Sequence, residues 1–262
     1  MDAPHGPDID YDALRRLLAP APGPAPSRGD GPSSADRTAA GELAVSVLRA
    51  VAEGRWSLAA VRHPLGFLCL PVLRDGARGV CVHLFGAGTG GDGSGDDGSG
   101  GDGSWGAGSG GDGGRSDAPL VHAHSWSLVS LVLFGRVTNH SVRVVDDPVA
   151  PTHRVYEVRS GPDGTDEVRG TTRFVRGIPD GSGHSTTGDV YVVRPGEFHA
   201  TVVADGRPAA TLVLGETQPG SKDMSLGLLS GEGHRSVREI CGREETVVAV
   251  RAALRRIDEA DG

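Results

Sequence analysis

Between Pro119 and Leu214 apolar and polar residues alternate in short runs separated by turn-forming clusters. The runs at 119–126, 128–135, 137–145, 153–160, 166–175, 188–194, 198–204 and 209–215 predict eight strands. Asp146-Asp147-Pro148, Gly161-Pro162-Asp163-Gly164, Pro179-Asp180-Gly181 and Asp205-Gly206 predict turns between them. Upstream, Leu65–Leu73 and Val80–Phe85 flank the Gly-containing stretch 74–79 and predict a β-hairpin. Three segments carry a helical period instead. Residues 10–18 predict a short helix. Residues 38–53 place Leu43, Val47 and Val51 on one face and predict a helix ending near Gly54. Ser236-Val-Arg-Glu239 has the form of a capping box, and Val247, Val250, Leu254 and Ile257 follow at helical spacing. The pattern therefore predicts a mainly β fold, a sandwich or barrel, with helices flanking it at both ends.

Two segments break the pattern. Ala19 to Arg37 contains five prolines among Ala, Gly and Ser, which reads as an extended linker and divides the chain into 1–37 and a main domain, 38–262. In residues 86–114, sixteen of 29 positions are Gly and most others are Asp or Ser. Calcium-binding β-helix repeats need an apolar residue at a fixed register in every repeat, and none recurs here. Residues 86–117 are therefore read as a disordered surface insertion.

Charge and composition remove several function classes. The net charge is −8, and the five Asp of residues 86–114 supply −5 of it, so the rest is close to balanced. No basic stripe exists that would neutralise phosphates, so no nucleic-acid partner is expected. No apolar run approaches the length a membrane helix needs, and no signal peptide is visible, so a cytoplasmic protein with no membrane partner is expected. Cys69, Cys81 and Cys241 form no CxxC spacing and do not suggest a disulfide scaffold. Cys69 and Cys81 alternate with apolar neighbours, as small core residues do. Lys222 is the only lysine beside 25 arginines, a bias that fits a high-GC, bacterial coding sequence.

The chemistry gathers on histidines. In Val121-His122-Ala123-His124-Ser125-Trp126, the two histidines stand at i and i+2 and so share one face of a strand. His199 follows the Pro195-Gly196 turn and is the candidate third ligand. His140 has the same strand parity if no bulge intervenes, as a substitute ligand or a hydrogen-bonding neighbour. Tyr191 is a candidate acid or hydrogen-bond donor near such a site. Trp126 shares the histidine face. His83 reads more simply as a hydrogen-bonded strand residue, and Arg62 as a surface arginine.

The order H-x-H (His122, His124), Gly135, then Gly188-Asp-Val-Tyr191 and Pro195-Gly-Glu-Phe-His199 resembles the two motifs of the cupin superfamily, over roughly residues 60–215. The similarity is greatest to the cysteine dioxygenase-type branch. It implies a double-stranded β-helix, or jelly-roll barrel, with His122, His124 and His199 as metal ligands. Many cupins carry a Glu four or five residues after the second His, where this chain has Leu128 and Val129. The ligand set implied is then three neutral imidazoles. No Cys occurs between residues 82 and 240, where thiol dioxygenases carry a crosslinking cysteine, so a substrate other than cysteine is implied. The second motif has one extra residue before its Pro, and Val203 stands where many cupins have Asn.

The resulting expectation is a non-haem Fe(II) dioxygenase. It would act with O2 on a small chelating substrate, a thiol or an oxygenated aromatic or heteroaromatic ring, in specialised metabolite biosynthesis. The same ligands also suit zinc, nickel or manganese in an O2-independent lyase, isomerase or hydrolase. A non-catalytic ligand-binding cupin is the third alternative.

Overall fold

The computed structural model describes residues 7–18, 31–86, 120–161, 163–203 and 207–260. The Gly/Asp/Ser insertion after Gly86 and the expected linker as far as residue 30 fall outside these residues, whereas the end of that linker, 34–37, is helical. Among the described residues the chain is mainly β, with two antiparallel sheets and three helices. Two helices come first, α1 (Tyr11–Leu18) and α2 (Ser34–Ala52). Strands β1 (Val61–Arg62), β2 (Phe67–Asp75), β3 (Arg78–Phe85), β4 (His122–Ala123), β5 (Trp126–Phe134) and β6 (Arg136–Asp146) follow. Then come β7 (His153–Ser160), β8 (Thr165–Thr186), β9 (Val190–Val193), β10 (His199–Val203) and β11 (Ala209–Thr217). The chain closes with β12 (Asp223–Gly227), β13 (His234–Val237) and α3 (Arg243–Ala260). One sheet has the order β1-β2-β3-β11-β5-β9, the other β13-β8-β6-β10-β4-β12-β7, and β8 also pairs with β7. Among the described residues no helix is long and apolar enough to cross a membrane.

Strand alternation explains how the six-stranded sheet carries two different faces. Leu68, Leu70, Val80, Val82, Leu84, Leu131, Leu133, Leu212 and Leu214 project to one side. There they pack against Tyr11, Leu14 and Leu18 of α1, Val47, Leu48 and Val51 of α2, and Val250, Ala253 and Ile257 of α3. Burying each such side chain contributes about 1.5–3 kcal/mol. The intervening residues form the inner face: Phe67, Cys69, Cys81, Val132, Tyr191 and Val213. That face packs with Val137 and Val203 of the other sheet. Strand β11, between β3 and β5, is buried along nearly all its length because both its faces are covered.

The helices match the expected positions with two displaced starts. Ser33 caps α2: its hydroxyl accepts from the Asp36 amide, while the Asp36 carboxylate accepts from the Ser33 amide, so the helix begins at Ser34 rather than 38. The C-terminal capping-box reading is corrected. Residues 234–237 are β13, held antiparallel to β8 over 165–168, and α3 starts only at Arg243. Sheet pairing overrides the local pattern there. Pro179-Asp180-Gly181 does not end a strand either. The chain stays extended through it as part of β8, paired with β6, with a register shift between His140 and Val142 absorbing the irregularity. Strands β1 and β12 were not expected, being short and lacking alternation.

A partly buried ion pair ties the residue after β13 to β8. Arg238 donates through Nε and Nη2 to the Asp166 carboxylate at 2.7–3.1 Å, and the Ser160 hydroxyl donates to the same group at 2.6 Å. Burial pushes the Asp166 carboxyl up, but Arg238 and Ser160 outweigh it and hold it below its usual range. The folded-state pKa is thus depressed. The stabilisation is fully present above the unfolded pKa of about 3.9 and is lost as pH falls through the lower folded value. Asp166→Asn should cost about 2 kcal/mol at neutral pH. The gap from the parent protein should close on acidification, as urea denaturation at several pH values would measure. A gap independent of pH would mean that the charge on Asp166 is not what stabilises this contact.

Candidate metal centre

Two neighbouring strands build the centre. His122 in β4 pairs directly with His199 in β10, so the two side chains lie on the same face and side by side. His124, two residues on, adds a third ring on that face. Ring centroids are 4.4 Å apart for His122 and His199, 4.8 Å for His122 and His124, and 5.3 Å for His124 and His199. One nitrogen from each lies within 4.8 Å of the others. His122 and His199 are buried and His124 is half-buried. Among the described residues no carboxylate or thiol joins this group of three.

The ring orientations are fixed by backbone. Nδ1 of His122 lies 3.0 Å from the Leu120 carbonyl, and Nδ1 of His199 lies 3.2 Å from the Glu197 carbonyl. Each contact makes Nδ1 the proton carrier and leaves Nε2 as the lone-pair donor, the arrangement that metal-binding histidines use. Burial, with His199 beside it, pushes His122 down to about 3. Burial and the two neighbouring rings hold His124 well below its ordinary value, and burial lowers His199 as well. All three rings are therefore neutral at neutral pH, the form that ligates.

Strand β4 is only two residues long, yet its surroundings clamp the whole segment. The Gly196 amide donates to the His124 carbonyl at 2.9 Å, and the Gln218 amide donates to the Ser125 carbonyl at 2.9 Å. The Leu226 amide donates to the Val121 carbonyl at 2.9 Å. The Asp223 carboxylate accepts from the Ser125 amide at 2.6 Å. Gly196 has φ 76°, and the Glu197 amide donates back to the Arg194 carbonyl, so Arg194-Pro195-Gly196-Glu197 is a type II turn that delivers His199.

The other candidate residues separate cleanly. Tyr191 faces the interior from β9, opposite Ser130. Burial pushes its phenol up, against the pull of Ser130, Asn139 and Thr211 around it. His140 is not brought to the triad. It stands opposite Ala200, one residue past His199, so alternation sends its side chain to the other face. Its Nδ1 lies 2.6 Å from the Ser182 hydroxyl. Arg62 is engaged by Glu239 at 2.9 Å and by Glu245. Asp223, Ser130 and Thr211 were not singled out from the sequence. For the last two, an isolated hydroxyl inside an apolar strand was the available signal.

The Trp126 ring lies 4.7 Å from that of His124, tilted by 53°, and the backbone of Gly215 makes room for it. A Cβ at Gly215 would come within 2.2 Å of the indole. Gly215→Ala should therefore drive the indole onto His124 and weaken metal binding by about 10–100-fold, the range for losing an outer support of a ligand. Metal-binding titration checks this. Unchanged affinity would show that Trp126 does not set the ring of His124.

No protein-family model matches the chain, and no curated protein matches it.

Proposed function

We propose that this chain is a cupin-type metalloenzyme. In this reading its two sheets form a jelly roll, His122, His124 and His199 bind Fe(II), and the reaction is dioxygenation of a small chelating substrate. The observation that carries the reading is the triad itself: three neutral imidazoles held on one face, with no carboxylate among them. Three neutral ligands leave the ion's charge and its remaining positions available for an anionic substrate, and Fe(II) supplies activation of O2.

The chain's own residues do the rest. The Leu120 and Glu197 carbonyls hold the Nδ1 protons of His122 and His199 and keep Nε2 directed at the ion. Trp126 covers His124 and excludes water from that side. Tyr191, like any phenol, keeps its proton at neutral pH, and burial raises its pKa further, so it is a hydrogen-bond donor. Ser130 Oγ and Thr211 Oγ1, beside that phenol, are buried without a well-formed hydrogen bond among the described residues. Buried hydroxyls are seldom left so, and we assign them to the polar part of the substrate. No Cys occurs between residues 82 and 240, where thiol dioxygenases carry a crosslinking cysteine after the H-x-H, and this favours an oxygenated ring over cysteine.

Metal analysis of protein purified anaerobically, followed by O2 uptake with candidate catechols, hydroxylated heterocycles and thiols, tests the proposal. Ferrous iron, strict dependence on O2 and incorporation of oxygen from O2 into product are expected, with added Zn(II) inhibiting by occupying the same histidines. Turnover of the same substrate by the zinc form without O2 would overturn the dioxygenase reading and leave a hydrolase, lyase or isomerase.

A further inference from the structure

The β2–β3 hairpin repeats, with sulfur, the construction that makes the histidine triad. In the triad, β4 and the residue after it offer positions i and i+2, His122 and His124, and the neighbouring antiparallel strand offers His199 opposite the first. In the hairpin, β3 offers Cys81 and His83 at i and i+2, and β2 offers Cys69 directly opposite His83. Cys81 Sγ and His83 Nε2 are 3.2 Å apart, and the two sulfurs and one ring nitrogen all lie within 4.8 Å of one another. All three cysteines of the chain are free thiols, and Cys69, Cys81 and His83 are each partly accessible. They belong to the inner face of the six-stranded sheet, where Cys69 packs beside Phe67 and Cys81 beside Val213. The Phe67 ring lies 4.4 Å from His83 and limits its rotation.

We propose that Cys69, Cys81 and His83 form a second metal site, separate from the triad and selective for a thiophilic ion such as Zn(II) or Cu(I). Two thiolates and an imidazole are the donors such ions prefer, whereas three imidazoles without sulfur suit Fe(II). A tetrahedral centre with metal–sulfur bonds of about 2.3 Å and metal–nitrogen bonds of about 2.0 Å sets donor separations of about 3.5–3.8 Å. The present spacing reaches that range by small side-chain rotations. Binding a divalent ion forms two metal–sulfur bonds and releases the two thiol protons to solvent, with no change of oxidation state. Three protein donors leave one position open, as exchangeable sites do and closed structural sites do not.

Cobalt titration of the full chain, reduced and without oxygen, tests this. Sulfur bound to Co(II) gives an intense near-ultraviolet charge-transfer band that imidazole ligands do not give. The parent protein should bind about two equivalents, one of which carries the band. His199→Ala should lose one equivalent and keep the band. Cys69→Ser and Cys81→Ser should each lose the band and keep the imidazole-bound equivalent, and Cys241→Ser should change neither. If the parent protein binds one equivalent with the band, the second site stands and the triad's metal is in question. Absence of the band at saturating cobalt in the parent protein, or its persistence in both cysteine variants, overturns the site. The first result needs no variant to fold.

Discussion

His199→Ala should lose most of its bound triad metal, the largest functional effect expected in this protein. His199 is the one triad ligand that comes from β10, and it reaches His122 only because the two strands pair at that residue. Removing it leaves His122 and His124, a two-point site from a single segment. Losing an outer partner of a ligand costs roughly 10–100-fold in metal affinity, so losing the ligand itself should cost more than about 100-fold. His140→Ala is the internal control, since its side chain leaves the opposite face and contacts Ser182. It should keep the triad's metal. Elemental analysis beside circular dichroism separates loss of metal from loss of fold. Full metal in His199→Ala together with loss in His140→Ala would reassign the third ligand.

Gly135→Ala should produce the largest loss of stability from a single methyl group. Gly135 joins β5 to β6 at φ 83°, a left-handed conformation that costs a residue with a side chain about 1–3 kcal/mol. The added Cβ would also lie 2.6 Å from the Pro208 carbonyl oxygen and 2.9 Å from the Ala209 Cα. These are backbone atoms and cannot swing aside as a side chain would, so the start of β11 must move. The combined loss should exceed about 3 kcal/mol. It should appear as a lowered urea midpoint with unchanged slope. A loss below about 1 kcal/mol would show that β11 yields at Ala209 with little cost. Within the resemblance drawn from the sequence, Gly135 marks a motif position. In the structure its role is the close approach of two backbones.

The local features were the legible ones. The period of two in residues 119–135 and 209–215 comes from one face meeting helices and the other meeting the second sheet, so β5 and β11 could be placed to within two residues. His122 and His124 announced a shared face because i and i+2 depend on one strand alone. What depends on two strands was hidden. The parity of His140 is right when counted along the chain. It fails because β6 sets His140 opposite Ala200 and Ser141 opposite His199. Ser236 to Glu239 has the letters of a helix cap, but four residues pairing with β8 outweigh one local motif. In the same way, β3 displayed Cys81 and His83 at a strand spacing, while their register with Cys69 belongs to the hairpin.

The two-residue strand β4 has a consequence for the order of events during synthesis. Its position is held by amides and a carboxylate far downstream. Ser125 meets Asp223 across 98 positions, and Val121 is held by Leu226. The hairpin β2–β3, by contrast, needs only a turn and can close early, since local pairings form before distant ones. A nascent chain that has emerged as far as His199 already carries all three triad imidazoles, yet has no β12 to hold two of them in register. Metal capture at the triad is therefore expected to be a late step, after residue 226 has joined the sheet. Nascent chains stalled before that point should release the ion to a chelator far faster than the finished protein.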